Sequence, residues 1–161
     1  VCSMADIFQQ FLQNGKIQVG FLGGAQVDKF GNINTTVVGP YSQPKVRLPG
    51  SGGACEIAIH AQRLLIVAKL DARAFPEKVD FITSPGKRVK KVITNMGTLE
   101  PDGSGELLLT ALYPGVTFEQ VQAGVGWKLR KAAALKLIEP PAARDISLLR
   151  EKLDPQKLHI Q

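Results

Sequence analysis

Three glycines occupy the four positions Gly50, Ser51, Gly52 and Gly53, directly ahead of Ala54 to Gln62, whose composition suits a helix. The apolar and β-branched run Val46 to Leu48 leads into them, so the local order reads strand, glycine loop, helix. Residues without a Cβ reach φ > 0 and let the backbone approach a ligand closely. The amides that open a helix lack partners inside it and can hold an anion or a developing oxyanion. The same spacing also fits a plain tight turn before a helix. Cys55 follows at once, where a helix N-terminus would acidify a thiol, although a small core cysteine fits as well. His60 falls within the predicted helix and His159 near the C-terminus. With no Ser or Cys in a Gly-x-Ser-x-Gly elbow, both read as structural or exposed.

Other polar groups divide in the same way. Asp28, Asn32 and Asn34 surround Gly31, a pattern of side chains bonded to their own backbone around a turn. Arg73, beside Asp71, fits either a ligand contact or a surface ion pair. Lys87, Arg88, Lys90 and Lys91 form the densest basic cluster and suit phosphates or a solvated loop.

These residues need a framework. Met4 to Gln13 places Ile7, Phe8, Phe11 and Leu12 at helical spacing, with Asn14 and Gly15 as the stop. Strands are expected at Ile17 to Leu22, Thr35 to Val38, Val79 to Thr83 and Val89 to Thr94. Leu64 to Leu70 is nearly all apolar, as a strand buried on both faces would be. Asp102 to Gly105 predicts a hairpin between Leu99 and Leu112. Thr117 and Gln120 have capping-box spacing for a short helix to Gln122, and Asp145 to Leu153 predicts a last helix after Pro140 and Pro141. Strands alternating with helices place the chain in the α/β class, with an open, largely parallel sheet and flanking helices.

Composition narrows the function. A chain of 161 residues, 44% hydrophobic, reads as one globular domain. No apolar run approaches a membrane span. Two isolated cysteines support neither a disulfide framework nor a metal site, and a reducing cytoplasm is the simplest compartment. The net charge of +6 is scattered with few aromatics between the basic residues, which argues against nucleic acid.

Four stretches in order carry a resemblance. Phe21 to Asn34 (Phe-Leu-Gly-Gly-Ala-Gln-Val-Asp-Lys-Phe-Gly-Asn-Ile-Asn) resembles the Gly-Ala-x-x-Val-Asp-x-x-Gly-Asn-x-Asn pattern of the B (beta) subunits of family I coenzyme A transferases. Pro44 to Ala54 is similar to that family's Gly-x-Gly-Gly-Ala motif. Lys78 to Gly86 and Tyr113 to Thr117 look most like the B (beta) subunit of glutaconate CoA-transferase.

The resemblance covers the chain from about Ile17 onward. It implies a fold shared with sugar-phosphate isomerases and a hetero-oligomer with an A (alpha) subunit. It also implies a ping-pong transfer of CoA between an acyl-CoA and a carboxylic acid through a glutamyl thioester. No permanently bound cofactor is implied; CoA is substrate. Gly52 and Gly53 become the candidate oxyanion donors, and Gly50, Ser51, Ala54, Gly24, Gln26 and Arg73 the candidate acyl-CoA contacts. The family's nucleophilic glutamate lies in Glu-Ser-Gly or Glu-Asn-Gly, well upstream of the first motif. None of Glu56, Glu77, Glu100, Glu106, Glu119, Glu139 or Glu151 is followed by Gly or Asn-Gly. The glycine-rich loop that relatives carry after Ser-Pro-Gly is also short here, since Gly86 runs straight into Lys87. Both gaps fit either a fragment or a truly shortened subunit; an incomplete B-type chain is the expectation, because a start at Val1 would remove strands from the sheet and expose core. A CoA-thioester hydrolase or decarboxylase of the same superfamily and a non-catalytic partner subunit are the alternatives.

Overall fold

The computed structural model describes residues 1–158, which leaves His159 outside the described residues. The chain opens with helix α1 (Met4–Asp6), closed at its start by a Ser3–Asp6 capping box and continued by π-type turns through Ile7–Leu12. Strand β1 (Val19–Leu22) follows, then two small antiparallel ribbons. One pairs β2 (Gln26–Val27) with β3 (Ile33–Asn34), and the other pairs β4 (Val37–Val38) with β5 (Val46–Arg47). After the glycine loop come α2 (Ala54–His60), β6 (Arg63–Val67), β7 (Val89–Ile93), β8 (Gly97–Pro101) and β9 (Leu107–Leu112). The last elements are α3 (Phe118–Ala123), β10 (Arg130–Leu137) and α4 (Ala143–Ser147), the last extended by π-type turns to Leu153.

The main sheet has the order β1-β6-β7-β8-β9-β10. The pairs β1/β6, β6/β7 and β9/β10 are parallel, and β7/β8 and β8/β9 antiparallel, so the sheet is mixed with a parallel majority, as expected. Alternate residues along the strands form the core: Leu64, Ile66, Val92, Leu99, Leu107 and Leu109 are fully buried with Phe75 and Val121. Gly20 makes room for the helix above it, because a Cβ there would stand 2.6 Å from Ile57 Cγ2 of α2.

Two expectations need correction. Leu64 to Leu70 is not buried on both faces: β6 ends at Val67, and Val67 and Phe21 are 53% and 64% exposed on the face opposite the core. Val79 to Thr83 is not a strand either. Its polar groups are taken by other segments, with Asp80 N donating to Gln26 Oε1 (3.1 Å) and Thr83 Oγ1 accepting from Thr35 N (2.9 Å), and only Ser84 bridges to Ile33. Strand β10, conversely, has no clear signal in the sequence. It is basic and exposed, and it forms because β9 offers a parallel edge.

Local signals of other kinds hold. Thr117 and Gln120 form the capping box, and Asp102 organises the β8–β9 turn by accepting from Ser104 N (2.8 Å), Ser104 Oγ (2.6 Å) and Glu106 N (3.1 Å). Arg130 Nη2 reaches Asp102 Oδ2 at 2.7 Å, which ties the edge strand β10 to that turn. Hydrogen bonds from the Ser104 side chain, then from Arg130, hold the Asp102 carboxyl far below the usual carboxylate range. Because the folded value is depressed, the associated stability is complete above the unfolded value of about 3.9 and is lost as pH falls below it. Asp102→Asn should therefore flatten the decline of Tm between about pH 4 and pH 2 in acid melts.

The Ser-Pro-Gly stretch docks on the β2–β3 turn, with Gly86 N donating to Asn32 Oδ1 (2.9 Å). A Cβ on Gly86 would overlap the Phe30 carbonyl oxygen and the Gly31 backbone. Backbone cannot swing aside as a side chain can, so Gly86→Ala should lower unfolding stability by about 3 kcal/mol in chemical denaturation.

Candidate active site

The glycine loop hangs from the β4–β5 ribbon. Leu48 N donates to Thr36 O (2.9 Å) and Gly50 N to Thr35 O (2.8 Å); Pro49 between them has no amide to give. The chain then turns through Gly50 at φ +94° and Gly52 at φ +47°. Nothing lies within 4 Å of a Cβ placed at either residue, so the dihedral angle and not crowding is what calls for glycine. Ala54 N bonds Ser51 O (2.8 Å) and Cys55 N bonds Ser51 Oγ (3.3 Å), closing the loop onto α2.

That leaves Ser51, Gly52 and Gly53. Among the described residues, no acceptor takes their three consecutive amides. Gly52 and Gly53 face an open, largely apolar cleft of about 410 Å³, completed by Met4, Ala5, Phe8 and Glu56. The Phe8 ring lies where a Cβ on Gly53 would be. The cleft is therefore built from the N-terminal helix, the loop and the first turn of α2. Glu56 pairs with His60 at 3.2 Å one helical turn on, so the histidine is occupied by a neighbour on its own helix.

The expected site residues separate. Gly50, Ser51, Gly52, Gly53 and Ala54 come together in the loop, but the amides of Gly50 and Ala54 are already bonded to the protein's own carbonyls. Gly24 lies outside the cleft and is required by packing, because a Cβ there would overlap Ile33. Gln26 is buried, and its carboxamide belongs to the framework: Nε2 donates to Asp80 Oδ2 (3.0 Å), while Oε1 accepts from Asn34 Nδ2 (2.7 Å) and Asp80 N. Arg73 carries a side chain 98% exposed, 3.9 Å from Asp71, and is not among the residues that line the cleft. Asp28 accepts from Phe30 N and Asn32 N, both at 3.0 Å, which is the turn chemistry its spacing predicts. The basic cluster is also divided, since Lys91 pairs with Glu100 (3.0 Å) and Arg88 donates to Ala61 O (3.3 Å). Residue types and spacing do not single out Phe8 and Glu56 for the cleft. Their place depends on how the first helix meets α2, which leaves no local mark.

The structure is thus an α/β domain with a parallel-rich sheet and a glycine loop whose three middle amides are unclaimed. The chain belongs to the coenzyme A transferase family, whose sequence model matches residues 3–124. It is 46% identical to the B (beta) subunit of 3-oxoadipate CoA-transferase of Pseudomonas knackmussii, over 93% of this chain and 64% of that one. It is 34% identical to the B (beta) subunit of glutaconate CoA-transferase of Acidaminococcus fermentans, over 94% of this chain and 63% of that one. The crystal structure of glutaconate coenzyme A-transferase from the same organism superposes with a TM-score of 0.85 at 32% identity, covering 94% of this chain and 64% of that one. The cholesterol ring-cleaving hydrolase IpdB subunit of Rhodococcus jostii is 28% identical over 85% of this chain and 60% of its own length. The chain thus spans a little under two thirds of these relatives.

Because Gly50 and Gly52 are left-handed, Gly50→Ala and Gly52→Ala should each cost about 1–2 kcal/mol of unfolding free energy. Gly103→Ala, in an uncrowded turn without a positive φ, should change stability little in the same urea titrations.

Proposed function

We propose that this chain is the B-type part of a cytoplasmic CoA-transferase that works with an A-type subunit and moves CoA between an acyl-CoA and a dicarboxylic acid. The observation that carries the reading is the run of three unpartnered amides, Ser51, Gly52 and Gly53, beside an apolar cleft. Family membership supplies the chemistry.

In that chemistry a glutamate carboxylate attacks the thioester carbonyl, and the carbonyl oxygen becomes negative. The loop amides donate to that oxygen; the C–S bond then breaks, CoA leaves as a thiolate and an acyl-glutamyl anhydride remains. CoA attacks the glutamyl carbonyl, passing through a second oxyanion in the same place, to give glutamyl-CoA and the first free acid. The second acid reverses both steps. The glutamate is contributed from outside these 161 residues, since no glutamate here carries the family's motif. The relatives named for 3-oxoadipate and glutaconate both point to a dicarboxylate, and the higher identity makes 3-oxoadipate the first acid to assay. Both thiols are free, which suits a reducing compartment.

A second reading, hydrolysis of a CoA-linked ring substrate, is supported by the likeness to the IpdB subunit. Trapping with hydroxylamine separates the two, because only the transferase passes through a glutamyl thioester. In an assembled enzyme containing this sequence, Gly52→Val should lower kcat for transfer about 100- to 1000-fold with little change in KM. Undiminished transfer by that variant would overturn the role given to the loop.

A further inference from the structure

Thr35 holds the Gly50 residue from both ends. Its carbonyl accepts from Gly50 N at 2.8 Å, and its hydroxyl Oγ1 donates to Gly50 O at 2.8 Å. The second bond has a consequence beyond anchoring. The carbonyl of Gly50 and the amide of Ser51 belong to one peptide group, which is planar and trans. In such a unit the C=O and N–H point in opposite directions, so fixing the oxygen fixes where the Ser51 hydrogen points. A hydrogen bond accepted by the oxygen also polarises the unit and makes its N–H a better donor.

We propose that Thr35 is a positioning residue of the oxyanion loop, orienting and polarising the free Ser51 amide through the Gly50 carbonyl. This rests on the oxyanion reading above and adds a residue to it. Thr35 itself is held from behind. Its amide donates to Thr83 Oγ1 (2.9 Å), and Thr83 shares a 2.7 Å bond with Thr36 Oγ1. Thr36 N in turn donates to Asn34 Oδ1 (2.9 Å), and Asn34 Nδ2 to Gln26 Oε1 (2.7 Å). Asn34 is fully buried, Gln26 7% exposed and Thr83 8%, so the hydroxyl that grips the loop is mounted on a rigid polar base.

The test uses the assembled enzyme. Thr35→Val keeps the shape and removes the hydroxyl, and should lower kcat by about 10- to 100-fold while KM stays within about twofold, the pattern of a donor misplaced by a fraction of an ångström. Thr35→Ser, which keeps the hydroxyl, should recover most of the loss. In protein labelled with ¹⁵N-serine, the Ser51 amide proton should move upfield in Thr35→Val and stay in place in Thr35→Ser. Wild-type kcat in Thr35→Val, or a Thr35→Ser variant as impaired as Thr35→Val, overturns the proposal. If Gly52→Val abolishes transfer while Thr35→Val does not, only the clamp fails; if Gly52→Val is itself fully active, the oxyanion reading fails. Should Thr35→Val not assemble, Thr35→Ala carries the same readouts.

Discussion

A backbone amide can serve a ligand only if nothing in its own protein has already taken it. Buried backbone donors nearly always find an acceptor; Ser51, Gly52 and Gly53 are part-exposed or exposed, so their amides can stay open to solvent or a ligand. Here there is a division of labour along the loop. Gly50 and Ala54 give their amides to Thr35 O and Ser51 O, which pins the two ends. Pro49 has none to give. Two glycines at positive φ then turn the backbone between those pins, and among the described residues no carbonyl accepts from Ser51, Gly52 or Gly53.

The pins are only as firm as what they are fixed to. Gln26, Asn34, Thr36, Thr83 and Asp80 form a mostly buried polar network in which each side chain satisfies another or the backbone of a neighbouring segment. Buried polar groups are costly when unpaired and rigid when fully paired, so this base resists the small shifts that would misdirect a donor. It also explains why the first motif of the family, Gly24 to Asn34, lies beside the loop and not in the cleft. Its glycines and amides shape and hold the support. The same account places Ser84-Pro85-Gly86, which docks against the Asp28–Asn32 turn and delivers Thr83 to Thr35.

The hydrophobic core packs on one face of the main sheet, and Phe21 and Val67, on β1 and β6, are exposed on the other. Mostly parallel sheets ordinarily bury both faces. The chain spans under two thirds of the length of these relatives, which are themselves named as subunits. The cleft beside the glycine loop is likewise open, bounded on one side by the short N-terminal helix alone.

Much was legible locally. A capping box at Thr117 and Gln120, an Asp28 turn around Gly31, a hairpin at Asp102 and a glycine loop before a helix depend on residues within a few positions of one another, and there the amino-acid types settle the conformation. The family pattern likewise needed only order and spacing. What the tertiary structure alone decided is which groups remain available. Val79 to Thr83 has the composition of a strand, yet Gln26 and Thr35, about fifty residues away in sequence, claim its polar atoms. Gln26 has the chemistry of a ligand contact, and burial beside Asp80 and Asn34 commits it to the framework. Thr35 bears no local mark of its role, because its grip on Gly50 joins positions fifteen residues apart through a ribbon that exists only when the chain is folded. A hydrogen bond between distant segments depends on three-dimensional proximity, and composition and spacing do not encode that proximity.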